Sequence, residues 1–474
     1  MVGVKWTGIS TIILSALQYI QVAVLTKFLT PSDFGIMAMA IVVIGLAQSY
    51  TDMGISNAII QRQDTTKDHL SSLYWLEIMA GLGLFMIMIL LTPPVVMFFR
   101  EPRLTEVMAF TSLAFLITPM GQQFQILMQK ELEFKTLARI DISSMLVSVA
   151  LSIVAAYYGL GVMALVFGQL IFYGFRSMQF VAIGLRRWKP LLHFRVSDLK
   201  GYLSFGLYQM GERTVTYLSI NIINIIIGRF LGPDALGHYS LAYQLIINPI
   251  LRVSTMLMTV AFPIFSKFQD DNGSLRNGYI HLTRLISFFI FPILALIFII
   301  APVFVPVVLG PTWGDVAPLI QILCIVGLFK ALGIPTVPTY LAKGHADLGF
   351  FWNLFVAIVS AILFYATARY GIMALCWSFA ILSLIQFIII QTITGDMIRL
   401  RWGKYLGSMA RQSLITMAIG VILYGAGLLG RSLGWGQLAL FTAIILAFIV
   451  VAILLNLIFN GDYCQELKRL LSSA

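Results

Sequence analysis

The chain has 474 residues, of which 59% are hydrophobic and only 11% charged, and its mean hydropathy is +0.92. Soluble domains carry about 25% charged residues because their surface faces water. This composition therefore excludes a soluble globular protein and indicates a helical, integral membrane protein. A net charge of +11 would suggest nucleic acid in a soluble chain. In a membrane chain it is the Lys and Arg excess of cytoplasmic loops, and no nucleic-acid partner is expected. The cysteines Cys324, Cys376 and Cys464 form neither a disulfide framework nor a metal-binding spacing.

In chain order, apolar runs predict six spans near residues 6–29, 34–60, 71–99, 104–127, 138–158 and 160–184. Eight more follow near 202–230, 235–261, 282–309, 316–341, 348–369, 372–396, 406–429 and 436–459. Each has the roughly 20 residues that a hydrocarbon core requires. The first run reads as a retained helix, since no small-residue cleavage site follows it. Glycines in "YYGLG" and "ARYG" divide two apolar runs that are too long for single spans. Prolines 119, 249, 292, 302, 335 and 338 are expected to kink their spans. With the N-terminus inside, 21 of the 31 Lys and Arg fall on the cytoplasmic side, 6 outside and 4 within spans. That asymmetry supports about 14 transmembrane helices with both termini cytoplasmic.

A second regularity is internal. "KFLTPSDFGIMAMA" from Lys27 returns as "RFLGPDALGHYSLA" from Arg229, 202 residues later, with Phe, Leu, Pro, Gly and Ala in register. The copies stand at the outer ends of spans one and seven, six spans apart, so they share an orientation. Pro31, Gly232 and Pro233 of this echo are read as turn formers, not ligands. The expected fold is an all-α polytopic membrane protein of two six-helix lobes, 1–184 and 202–397, related by a parallel repeat. A basic cytoplasmic linker, 185–201, joins them; two further helices over 398–459 and a short tail, 460–474, complete the chain. Two lobes about a central axis suit alternating access, which points to a transporter. The linker "LRRWKPLLHFRVSDLK" reads either as an amphipathic segment on the membrane surface or as a topology anchor.

Charged side chains inside spans mark pathway or coupling candidates. The cations Arg213, Lys330, Arg252 and Arg176 are candidates for holding a pyrophosphate. Snorkelling to the interface is the alternative for them. Glu77, Glu212 and Asp52 are the carboxylates available for ion coupling, with structural pairing as the alternative. Gln18 and Gln21 share a face of span one, and Asn221 and Asn224 a face of span seven. They are cavity candidates or helix–helix hydrogen-bonding groups. No nucleotide-binding loop or metal-ligand set is present, and the outer loops are short turns, so neither catalysis nor a cofactor is expected.

"TDMGISNAIIQRQD" from Thr51, "SSLYWLEI" from Ser71 and "GQQFQILMQKELEFK" from Gly121 resemble the polysaccharide transport family. So do "LGPDALGHYSLAY" from Leu231, "FPIFSKFQDD" from Phe262 and "LIQILCIVGLFKALGIP" from Leu319. These are flippases of the multidrug/oligosaccharidyl-lipid/polysaccharide superfamily, and the colanic acid exporter branch is the nearest in pattern. The resemblance implies a cargo, an oligosaccharide repeat unit on undecaprenyl pyrophosphate for exopolysaccharide or O-antigen. It implies export across a bacterial cytoplasmic membrane. A proton or sodium gradient is expected to drive it, with membrane lipids, a polymerase and export machinery as expected partners. It carries over no fixed binding residue. The rival within the superfamily is a multidrug/cation antiporter, which would need an acidic cavity. A membrane glycosyltransferase or polymerase would need a sizeable outer loop, and a non-transporting scaffold is the remaining alternative.

Overall fold

The computed structural model describes residues 2–51, 59, 66–199 and 204–459, with side chains undescribed at 2–5, 49, 51, 197, 198, 204–213, 256, 259, 260 and 346. The chain divides into two compact units, Met1–Ser240 with Ala357–Ala361, and Leu241–Val356 with Ile362–Ala474.

The first unit is built from α1 (Val2–Leu25), α2 (Pro31–Thr51), α3 (Lys67–Phe99), α4 (Leu104–Ser112), α5 (Ala114–Lys130), α6 (Phe134–Tyr157), α7 (Val162–Gly184) and α8 (Ser204–Phe230). α9 (Gly232–Lys267) begins in it and continues into the second unit. The second unit holds α10 (Asn272–Phe304), α11 (Val316–Leu332) and α12 (Thr336–Ala342). Most of α13 (Ala346–Ala368), then α14 (Ile372–Met397), α15 (Trp402–Ser432) and α16 (Gln437–Phe459), complete it. Among the described residues, twelve helices are long and apolar enough to cross a membrane. α8, with its apolar Thr214–Phe230 stretch, and α9 are two further long helices. The chain is thus a multi-pass, all-helical membrane protein, the secondary structure that satisfies every backbone group inside lipid.

Local chemistry explains where the helices stop. Gly159, Gly161 and Gly371 adopt φ of +77°, +54° and +91°, and so make the two turns predicted from "YYGLG" and "ARYG". Thr66 caps α3 by accepting from the His69 N–H at 3.3 Å. Asp271 caps α10 by accepting from the Gly273 N–H at 2.8 Å. The fourth predicted span is one run of α4 and α5, interrupted only at Leu113, which keeps right-handed helical dihedrals. Pro119, Pro249, Pro292 and Pro302 sit inside continuous helices, whereas Pro335 caps α12 after the break that ends α11 and Pro338 lies within α12.

Pro31, Gly232 and Pro233, read from the sequence as turn formers, all lie at helix starts. Pro31 opens α2 and Pro233 lies in the first turn of α9, where a missing N–H costs nothing. Gly35 and Gly237 lie within the helices and serve close packing; Gly232, at φ +85°, is the turn glycine.

In the first unit, the stretch after α7 is clipped onto the end of the helices that also carries Lys130, called the basic end below. Trp188 is buried against Tyr74 and Phe124, with ring centroids 6.1 and 5.7 Å away. The Trp75 indole donates to the Leu191 carbonyl at 2.8 Å, and the Leu191 N–H donates to Ser71 Oγ at 3.0 Å. Arg187 pairs with Glu131 and Glu133. This docking leaves Leu191, Leu192, Phe194 and Val196 exposed.

Candidate functional site

α5 carries Gln122, Gln125 and Gln129, three and four residues apart and therefore on one face. α7 presents Tyr173, Arg176 and Phe180 towards them, and a cavity of about 230 Å³ lies between the helices. The helices meet closely beside it because Gly121 has no side chain: a Cβ there would lie 2.5 Å from Ser177 Oγ and 2.8 Å from Ser177 Cα. Ser177 in turn donates to the Ile117 carbonyl at 2.8 Å. Small residues at a helix seam allow this approach within membranes.

Arg176 is not a free cation. Its Nε donates to Asp141 Oδ1 on α6 at 2.7 Å, and both side chains are about a quarter exposed. The guanidinium stands 5.1 Å from the Phe180 ring centroid and 6.0 Å from that of Phe172. Gln179 and Ser143 add a second tie between α6 and α7, with Gln179 Nε2 donating to Ser144 Oγ at 3.0 Å. The side-chain amides of Gln125 and Gln129 make no hydrogen bond among the described residues. A surface of three amides and an ion pair suits water or a polar cargo better than lipid tails.

The other predicted residues fall as follows. Gln21 Nε2 donates to Ser152 Oγ on α6 at 2.7 Å, a helix–helix bond, and Gln18 is half-buried one turn earlier. Asn221 donates to the Tyr217 carbonyl, and Asn224 to Asn221 Oδ1 at 3.1 Å, so this pair forms a local chain along α8. Glu77 is buried on α3, at 1% exposure. Arg252 is exposed on α9. Asp52 lies outside the described residues, as do the side chains of Glu212 and Arg213.

In the second unit, Lys330 is half-buried in the last turn of α11, its Nζ 5.5 Å from the Phe379 ring centroid. Among the described residues it has no ion pair. An apolar groove of about 570 Å³ runs beside α10, α11 and α15, lined by Phe291, Leu294, Phe298, Leu328, Met417 and Tyr424 among others.

Gln122, Gln125, Gln129, Tyr173 and Asp141 were not singled out from the sequence. The legible signal was the glutamine spacing on an otherwise apolar span; their meeting with Arg176 was not legible.

Residues 24–318 match the family described as Polysaccharide biosynthesis protein. The chain belongs to that family. It is 35% identical to the teichuronic acid biosynthesis protein TuaB of Bacillus subtilis, over 90% of this chain and 89% of that one. It is 30% identical to the lipopolysaccharide biosynthesis protein WzxC of Escherichia coli, over 92% and 88%. The fold is similar to that of the lipid II flippase MurJ in an inward closed conformation, with a TM-score of 0.76 at 12% identity over 96% of this chain and 99% of that one. Family membership agrees with the resemblance read from the stretches at Thr51, Ser71 and Gly121.

Proposed function

We propose that this protein is a flippase that moves a lipid-linked oligosaccharide repeat unit from the inner to the outer leaflet of the bacterial cytoplasmic membrane by alternating access. The observation that carries the reading is the polar cavity at Arg176, set inside a membrane-spanning unit of a polysaccharide biosynthesis family member. A lipid-linked saccharide needs a hydrogen-bonding path for its head and an apolar path for its tail. The Phe291–Tyr424 groove has the chemistry for the tail. The TuaB and WzxC relatives, named for teichuronic acid and lipopolysaccharide biosynthesis, support this cargo class, and so does the flippase title of the structural neighbour.

In this reading the pyrophosphate is captured chiefly by Lys330 and Arg213, with Arg252 as a further cation, while Arg176 acts as a neutralised pair with Asp141. Glu77, Glu212 and Asp52 are the candidates for coupling to a proton or sodium gradient. The basic end faces the cytoplasm, as do both termini, and a polymerase receives the exported unit.

The test is export in a strain lacking the gene. Wild type restores surface polymer; Lys330→Gln with Arg213→Gln leaves the protein in the membrane and abolishes export. Undiminished polymer from the double variant would overturn the head-group assignment. No effect of the deletion on any surface polymer would overturn the flippase reading.

A further inference from the structure

The geometry points to a saccharide subsite in the cavity between α5 and α7, in which Gln122, Gln125, Gln129 and Tyr173 bind the hydroxyl groups of one neutral sugar ring of the cargo. The inference rests on the flippase reading and adds to it which part of the cargo this cavity holds.

Charge comes first. The cation in the cavity lining, Arg176, is already matched by Asp141 at 2.7 Å, so the site presents no net positive charge to a phosphate. An anion seated there would displace or face the Asp141 carboxylate. What remains is a set of uncharged groups that both donate and accept. A glutamine amide offers two N–H donors and a carbonyl acceptor, and a sugar hydroxyl is likewise both donor and acceptor. The amides of Gln125 and Gln129 have no protein partner among the described residues and border the cavity, so their capacity is available to a ligand.

Size and shape agree. Sites for drug-sized ligands typically enclose about 300–1,000 Å³. A cavity of about 230 Å³ is smaller and suits one ring of a longer cargo. Phe180 and Tyr173 supply aromatic rings beside the polar groups, a pairing suited to a ring with both C–H faces and hydroxyl edges. One turn from Tyr173 along α7, the buried Gln169 Oε1 accepts no hydrogen bond, while Gln169 Nε2 reaches the Tyr173 hydroxyl at 3.5 Å. The polar stripe of α7 thus extends beyond the cavity.

The experiment compares two probes on the full-length protein in lipid nanodiscs: polyprenyl pyrophosphate alone, and the same lipid carrying a single hexose. Wild type should bind the hexosyl lipid about tenfold more tightly, the size of effect expected from one or two net hydrogen bonds. Gln125→Met with Gln129→Met keeps side-chain length and deletes the donors and acceptors. That variant should bind the two lipids equally, with sugar-free binding unchanged. Retention of the tenfold preference in the variant, or equal binding in wild type, would overturn the subsite and leave the flippase reading standing. Binding of neither lipid by wild type would overturn the flippase reading, and the subsite with it. The single variant Gln129→Met, read in the same assay, should give an intermediate preference and serves if the double variant does not fold.

Discussion

Gly35 and Pro233 meet backbone to backbone: a Cβ on Gly35 would lie 1.8 Å from the Pro233 carbonyl oxygen. The contact is reciprocated, because a Cβ on Gly237 would lie 1.8 Å from the carbonyl oxygen of Pro31. Residue i meeting j while j's counterpart meets i's is the signature of a self-complementary, two-fold contact. The 202-residue repeat is therefore a physical seam, where the first turns of α2 and α9 touch about a local pseudo-two-fold.

Alanine at Gly35 or Gly237 must force this seam apart, since the obstructing atoms are backbone and cannot rotate away. A thiol placed at Ala40, buried just over one turn beyond Gly35, should then react several-fold faster with a water-soluble maleimide than in the glycine background. Cys324 and Cys376 are buried and contribute little background once Cys464 is replaced. Unchanged labelling in both alanine variants would show that the seam is not closed in the membrane.

The Arg176–Asp141 pair should behave as a coupled unit. Arg176→Gln leaves a half-buried carboxylate without its partner and lowers thermal stability, and Asp141→Asn does the converse. The double variant should recover part of the loss, with a coupling of about 0.5–3 kcal/mol. Strictly additive losses in the double-mutant cycle would mean the two groups do not interact.

At the basic end, the Arg187 guanidinium hydrogen-bonded to Glu133 holds that carboxyl below the usual carboxylate range. A carboxyl depressed in the folded state stabilises fully above its ordinary value of 4.5, and that contribution is lost as pH falls through the lower folded value. Wild type should therefore lose melting temperature on acidification below about pH 4.5. Arg187→Gln should start lower and show a shallower decline over the same window, with a small effect because the pair is partly exposed. Parallel pH profiles for the two proteins would remove Arg187 as the cause.

Gln21 has a definite partner in Ser152, which makes it a packing residue of α1 and α6. Ser152→Ala should cost about 0.6 kcal/mol, the average for a hydrogen bond between membrane helices. Polymer export should persist; its complete loss with a stable protein would move Gln21 into the transport path.

Helix existence, span length and turn positions were legible because their causes are local. Some twenty apolar residues must be helical in lipid, and Gly159, Gly161 and Gly371 mark turns by tolerating positive φ. The repeat was legible as well, and Gly232 was read as the turn former it is; that Gly35 and Gly237 are contact residues was not legible. A turn and a close approach demand the same residue for different reasons, and only the Pro31 and Pro233 carbonyls distinguish them.

Which way each helix faces was decided by tertiary structure alone. Spans that are apolar on nearly every side have no periodicity to fix their rotation, so glutamine spacing placed Gln122, Gln125 and Gln129 on one face without saying what that face meets. Arg176 read as an available cation because its partner, Asp141, sits 35 residues away on a different helix. Packing at Gly121 and Ser177 brought those helices together, and in doing so made a neutral hydrogen-bonding cavity out of what the sequence presented as an isolated charge.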